Sequence, residues 1–151
     1  MSDTIDYRQF PAAPDAWRET VFSFLREFNK ASNPEYWSLR ELPENERKPL
    51  EIIAAGPGDS ILGGIFGSTQ FKWLKIDVLA VREDCRGRGI GRELMRRAEA
   101  EAVKRGCSRV YVDTMDIQAP EFYTRLGFCE VGRLEDWDSH GHAKLLLVKE
   151  L

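Results

Sequence analysis

The sequence predicts an α/β protein with a mixed sheet, and two observations carry that prediction. Residues 50–55, 61–67 and 73–81 are apolar-rich strand segments separated only by short turns, which gives an antiparallel meander. After residue 81 the pattern changes to strand, helix, strand, helix, which predicts a βαβα second half. At 151 residues the natural reading is a single domain, residues 1–151. A chain of this length buries roughly 68–70% of its unfolded surface, enough for a real core.

Residues 5–10 read as a first edge strand stopped by Pro11 and Pro14. From Asp15 a helix is signalled, with Asp15 as its cap and Trp17, Val21, Phe24, Leu25 and Phe28 at helical spacing as core residues. Residues 31–49 are irregular, carry Pro34, Pro43 and Pro49, and leave room for a short helix near residues 36–39. Gly56-Pro57-Gly58-Asp59 is a turn between strands. A second helix after Gly91 places Ile90, Leu94, Ala98 and Ala102 on one face, and Gly106 can close it. Residues 109–114 form the next strand, with Val110 and Val112 alternating against Tyr111. Pro120 starts a short helix holding Tyr123, and Gly127 ends it. Residues 128–133 and 143–149 complete the sheet.

Composition is ordinary for a globular protein, at 42% hydrophobic and 31% charged. A net charge of −3 argues against a nucleic-acid partner bound through its backbone and is compatible with a cationic substrate. The acidic N-terminus is no apolar signal, and no apolar run approaches the ~18 residues of a membrane span. Cys85, Cys107 and Cys129 are odd in number without C-x-x-C spacing, so they read as reduced thiols of a cytoplasmic protein. Cys107 and Cys129 are expected to pack as small hydrophobes, whereas Cys85 lies beside an arginine-rich loop.

That loop, Arg86-Gly87-Arg88-Gly89-Ile90-Gly91, is the most informative stretch. It joins an apolar strand end, Val78-Leu79-Ala80-Val81, to a helix start. Glycines bring backbone N–H groups close to a ligand, and the first helical turn adds unpaired donors and a partial positive charge. Together they suit a phosphate or pyrophosphate, with Arg86, Arg88 and Arg92 supplying forked cations. The dinucleotide fingerprint fails because Arg92 stands where its third glycine belongs, and no Walker A string occurs.

The spacing that fits is R-x-x-G-x-G, from Arg86, Gly89 and Gly91. It resembles the acyl-CoA pyrophosphate loop of the GNAT superfamily of N-acetyltransferases. Downstream, Glu121-Phe122-Tyr123-Thr124-Arg125-Leu126-Gly127-Phe128 resembles that superfamily's later signature, a tyrosine on a short helix before Leu-Gly-Phe. The resemblance runs from about Leu62 to the C-terminus. It implies a GNAT-like acyl-CoA N-acyltransferase fold, acetyl-CoA as co-substrate, and no metal. It also implies direct attack by a primary amine of a small molecule. Many members are dimers, so a homodimer is among the assemblies it allows.

Four tasks follow from amine attack on a thioester: deprotonate the amine, stabilise the oxyanion, protonate the thiolate, and align both substrates. For the thiolate the candidate is Tyr123, since a phenol with pKa near 10 stays protonated at neutral pH. The resemblance places such a hydroxyl near the CoA sulfur. For the amine the candidate is Asp77, a carboxylate interrupting an apolar strand. Strand alternation puts it on one face with Lys75, Leu79 and Val81, opposite Ile76, Val78 and Ala80. Asp77 can be a base or water holder, a binder of the substrate ammonium, or a structural ion pair. A site that relatives use for the base is here Lys75, and an asparagine of many relatives is here Asp116. The resemblance further implies that the backbone of Leu79, Ala80 and Val81 meets the pantetheine arm, with Gln118 offering a polar contact to the cofactor.

Two remaining segments are candidates for acceptor recognition: Trp37, and the loop holding Asp136, Trp137 and Asp138. Histidines in that loop match no established metal spacing. Other readings are acetylation of a protein or peptide amine, and an acyl-CoA-binding module without turnover. A toxin acting on charged tRNA shares the fold, and the acidic balance argues against it.

Overall fold

The computed structural model describes residues 5–151, arranged as two compact units, Met1–Leu42 and Pro43–Leu151. The expected edge strand at residues 5–10 does not form; the segment has no regular structure. A strand needs a partner ladder, and Pro11 and Pro14 limit pairing just beyond it.

In the first unit α1, Asp15–Ser32, is followed by α2, Pro34–Arg40. Pro14, not Asp15, is the N-cap of α1, and Asp15 instead places its charge in the first turn, where the helix dipole favours it. Asn33 caps α2 by accepting from the Tyr36 N–H at 3.0 Å. The apolar stripe of α1 is not a core: Trp17, Val21, Phe24, Leu25 and Phe28 are between 49% and 67% exposed. Periodicity found the helix, but a unit this small has little apolar surface of its own to cover that stripe. Phe10 meets Trp17 edge-on at 5.5 Å.

The second unit is the sheet. Its strands are β1 (Lys48–Ala55), β2 (Ile61–Gln70), β3 (Trp73–Val81), β4 (Arg109–Met115), β5 (Cys129–Leu134) and β6 (Lys144–Glu150), in the order β1-β2-β3-β4-β6-β5. All neighbours are antiparallel except β3 and β4. A parallel pair requires a crossover, supplied by α3, Ile90–Lys104. α3 buries Leu94, Met95, Ala98 and Ala102 against Ile65, Leu74, Ile76 and Val110 of the sheet. Gly106, at φ +84°, closes α3 with its N–H on the Val103 carbonyl. The short α4, Pro120–Arg125, follows β4. Cys107 is buried as expected, but Cys129 is exposed on β5 because it pairs at the sheet margin.

One irregularity corrects the expected faces of β3. Val78 pairs with Phe66 and Ile76 with Gly67, so Asp77 is an extra residue with no partner on β2. The bulge shifts the alternation. Leu79 and Val81 join the face of Leu74 and Ile76, while Val78 and Ala80 join that of Lys75. Gly67 permits the bulge, since a Cβ there would lie 2.2 Å from the Lys75 carbonyl oxygen.

Candidate active site

The site begins where the parallel pair ends. Four residues of β3 pair with β4, the last being Ile76 with Val112. β3 continues to Val81 and β4 to Met115 without pairing to each other. Beyond Ile76, β3 therefore has no strand partner on that side, and its backbone polar groups there need another one. A cavity of about 690 Å³ occupies the fork. Its walls include Asp77, Leu79, Ala80 and Val81 of β3, Asp113 and Thr114 of β4, Arg86, Gly91, Gln118 and Tyr123.

Beside the fork, a tight turn over Glu83–Cys85 leads into the glycine-rich loop. Gly89 is the N-cap of α3 at φ +81°, a conformation suited to glycine. The first helical bond runs from the Glu93 N–H to the Gly89 carbonyl. The N–H groups of Gly87, Arg88, Gly89, Ile90, Gly91 and Arg92 donate to no acceptor among the described residues. Six consecutive free donors at a helix start form an anion cradle. The arginines divide their work. Arg86 lines the cavity, whereas Arg88 turns its guanidinium to the buried Cys85 sulfur at 3.7 Å.

Tyr123 comes from α4. The helix is fixed by Ala119 in the left-handed region, Pro120 in the first turn, and the Phe128 N–H returning to the Tyr123 carbonyl at 3.1 Å. Phe122 and Phe128 hold the phenol edge-on at 5.2 and 5.6 Å. Only 8% of Tyr123 is exposed, and its hydroxyl has no hydrogen-bond partner among the described residues. Burial pushes the phenol above its ordinary value, so it is a proton donor at neutral pH.

Asp77 is 39% exposed and accepts from Lys75 Nζ at 2.7 Å, with Arg47 Nη2 at 3.9 Å. The hydrogen bond to Asp77, against a smaller desolvation effect, raises the Lys75 pKa and keeps it an ammonium. Asp113, which the sequence reading passed over, carries Lys144 Nζ at 3.2 Å and the Tyr111 hydroxyl at 3.3 Å. Its only signal in sequence was a polar position alternating with Val110 and Val112, as any solvated strand face would give.

Other expected residues lie elsewhere. Gln118 reaches the cavity wall, and its side-chain carbonyl accepts from the Met115 N–H at 3.0 Å. Asp136 and Asp138 do not line the cavity; they accept backbone N–H groups of Gly141, His140 and His142 within their own loop. Trp137 covers the Lys144 ammonium at 4.4 Å. Trp37 belongs to the first unit, with the Arg40 guanidinium 4.9 Å from its ring. No His/Cys/Asp/Glu group among the described residues is arranged to hold a metal. No helix among them is long and apolar enough to cross a membrane.

Residues 14–128 match the family model described as "Acetyltransferase (GNAT) family". The blasticidin-S acetyltransferase of Streptomyces morookaense is 39% identical over 131 residues, covering 84% of this chain and 96% of that protein. The streptothricin acetyltransferase of Streptomyces lavendulae is 32% identical over 94 residues, covering 59% and 50%. Among solved structures, an acetyltransferase from Bacillus cereus superposes with a TM-score of 0.77 at 26% identity, over 95% of this chain and 98% of that one.

Proposed function

The chain belongs to the GNAT acetyltransferase family, and on that premise we propose that it moves an acetyl group from acetyl-CoA to a primary amine of a small molecule. The observation that carries this reading is the fork between β3 and β4, with a buried phenol on its wall and a run of six free N–H donors beside it. The two named relatives act on blasticidin-S and streptothricin, which supports a small-molecule acceptor.

In the proposed reaction the loop from Gly87 to Arg92 and the Arg86 guanidinium hold the pyrophosphate. The thioester end extends along the unpaired stretch of β3, where backbone groups of Leu79, Ala80 and Val81 meet the amide-bearing arm. Asp77 receives or orients the acceptor ammonium as it loses a proton. The amine nitrogen attacks the carbonyl carbon, the carbon–sulfur bond breaks, and the thiolate takes the Tyr123 hydroxyl proton. No acyl-enzyme forms.

The family match runs across both compact units, which supports reading residues 1–151 as one functional domain. Three unpaired thiols support work in a reducing, cytoplasmic setting.

The test is thiol release from acetyl-CoA across an amine panel of blasticidin-S, streptothricin, polyamines, aminoglycosides, amino acids and lysine peptides. Release above the no-acceptor background with a small amine supports the proposal. Turnover of lysine peptides alone overturns the small-molecule assignment, and binding of CoA without any turnover overturns the enzyme assignment.

A further inference from the structure

Acetyl transfer to one amine needs one base, yet the fork presents two carboxylates. Asp77 and Asp113 are the residues immediately beyond the last pair, Ile76 with Val112, one on each strand, and both line the cavity. Paired strands lie about 4.8 Å apart. The two carboxylates therefore leave backbones on the order of 5 Å apart and diverging.

Each carboxylate also keeps room for a further donor. Lys75 bonds one oxygen of Asp77, and the other has only the Arg47 guanidinium at 3.9 Å. Lys144 and the Tyr111 hydroxyl approach separate oxygens of Asp113 at 3.2 and 3.3 Å. A carboxylate offers about four lone-pair sites, so neither group is saturated. The lysines stand outside the cavity wall while the aspartates are on it; the only other charged lining group is Arg86, which the loop assigns to the phosphate side. A further sign that a ligand enters here is Tyr123, a residue only 8% exposed, which lines the same wall and whose hydroxyl meets no protein partner among the described residues.

We infer that Asp113 is a specificity-determining residue that selects acceptors carrying a second positive charge a few bonds from the reacting amine. Asp77 meets the nitrogen to be acetylated and Asp113 meets the second cation across the fork. The inference rests on the acetyltransferase reading above. It adds the chemical class of the acceptor, a compact diamine or an amine with a neighbouring fixed cation.

The probes are 1,4-diaminobutane and butylamine, equal in carbon chain and different by one ammonium, at saturating acetyl-CoA. Wild type is expected to favour the diamine by at least about tenfold in kcat/KM, the size of one well-placed charge contact. Asp113→Asn, nearly isosteric, is expected to reduce that ratio to about threefold or less and to weaken its dependence on salt. Glu130→Gln removes the same charge from β5, outside the cavity, and is expected to leave the ratio at the wild-type value. A ratio near one in wild type, or a ratio that Asp113→Asn does not move, overturns the inference while the transferase reading stands. Absence of transfer to every amine overturns the transferase reading, and this inference with it.

Discussion

Lys75 and Asp77 sit two residues apart on β3, on either side of Ile76, and their side chains meet at 2.7 Å. As residues two apart on a strand they share one face, and Asp77 is also the bulge residue with no partner on β2. Both side chains are more than a third exposed, so their coupling is worth at most about 1 kcal/mol. Lys75→Met should change kcat/KM by no more than about fivefold, because an exposed pair of this kind contributes little. Steady-state kinetics on the variant check this.

Tyr123→Phe should lower kcat by about 10²–10⁴-fold if the phenol supplies the proton, with little change in the KM for acetyl-CoA. The sign of the pH effect is fixed by burial. The folded phenol titrates above its ordinary value near 10, so the acid form is present throughout the neutral range and is lost only on strongly alkaline titration. Wild-type kcat should therefore show no fall between about pH 7 and 9.5, and the high-pH limb should disappear in the variant. A wild-type fall centred near neutrality would remove Tyr123 from the role of acid.

Gly89→Ala places a side chain at φ +81°, where nothing lies within 4 Å, so the cost is conformational rather than steric. It should amount to about 1–2 kcal/mol of strain. Part of that strain can relax by rotating the loop donors away from the pyrophosphate. Calorimetric titration with CoA should then give a Kd raised by about tenfold, with urea stability lowered modestly.

Gly67→Ala is the opposite case. Its Cβ would collide with the Lys75 carbonyl oxygen, a backbone atom with little room to move. The substitution should cost about 1–3 kcal/mol in urea unfolding and should disturb the fork through the bulge. Leu74→Ala, on a fully buried side chain away from the cavity wall, should cost about 2–5 kcal/mol without raising the KM for acetyl-CoA in the surviving folded fraction.

What the sequence disclosed was local. The glycine loop and the Tyr123 helix each declare themselves within about ten residues, and the meander does so strand by strand across short turns, through turn chemistry and periodicity. What it hid was pairing between distant strands. The bulge at Asp77 depends on Gly67 of β2, and it reverses the faces that simple alternation assigns to Leu79 and Val81. Asp113 matters only because β3 and β4 part company just before it, and no residue of β4 announces that parting. The stripe on α1 illustrates the same limit, since periodicity identifies an apolar face but not its cover.

The sheet can also be viewed as a fastening. Each outer pairing holds its strands over most of their length, whereas the two antiparallel halves, β1 to β3 and β4 to β6, are joined along β3 and β4 by only four register pairs. The groove and the weakest seam of the sheet are thus one place. A molecule lying along it becomes a rivet between the halves. Hydrogen exchange at the free ends of β3 and β4 should then slow together on binding, even though the two strands share no bond there.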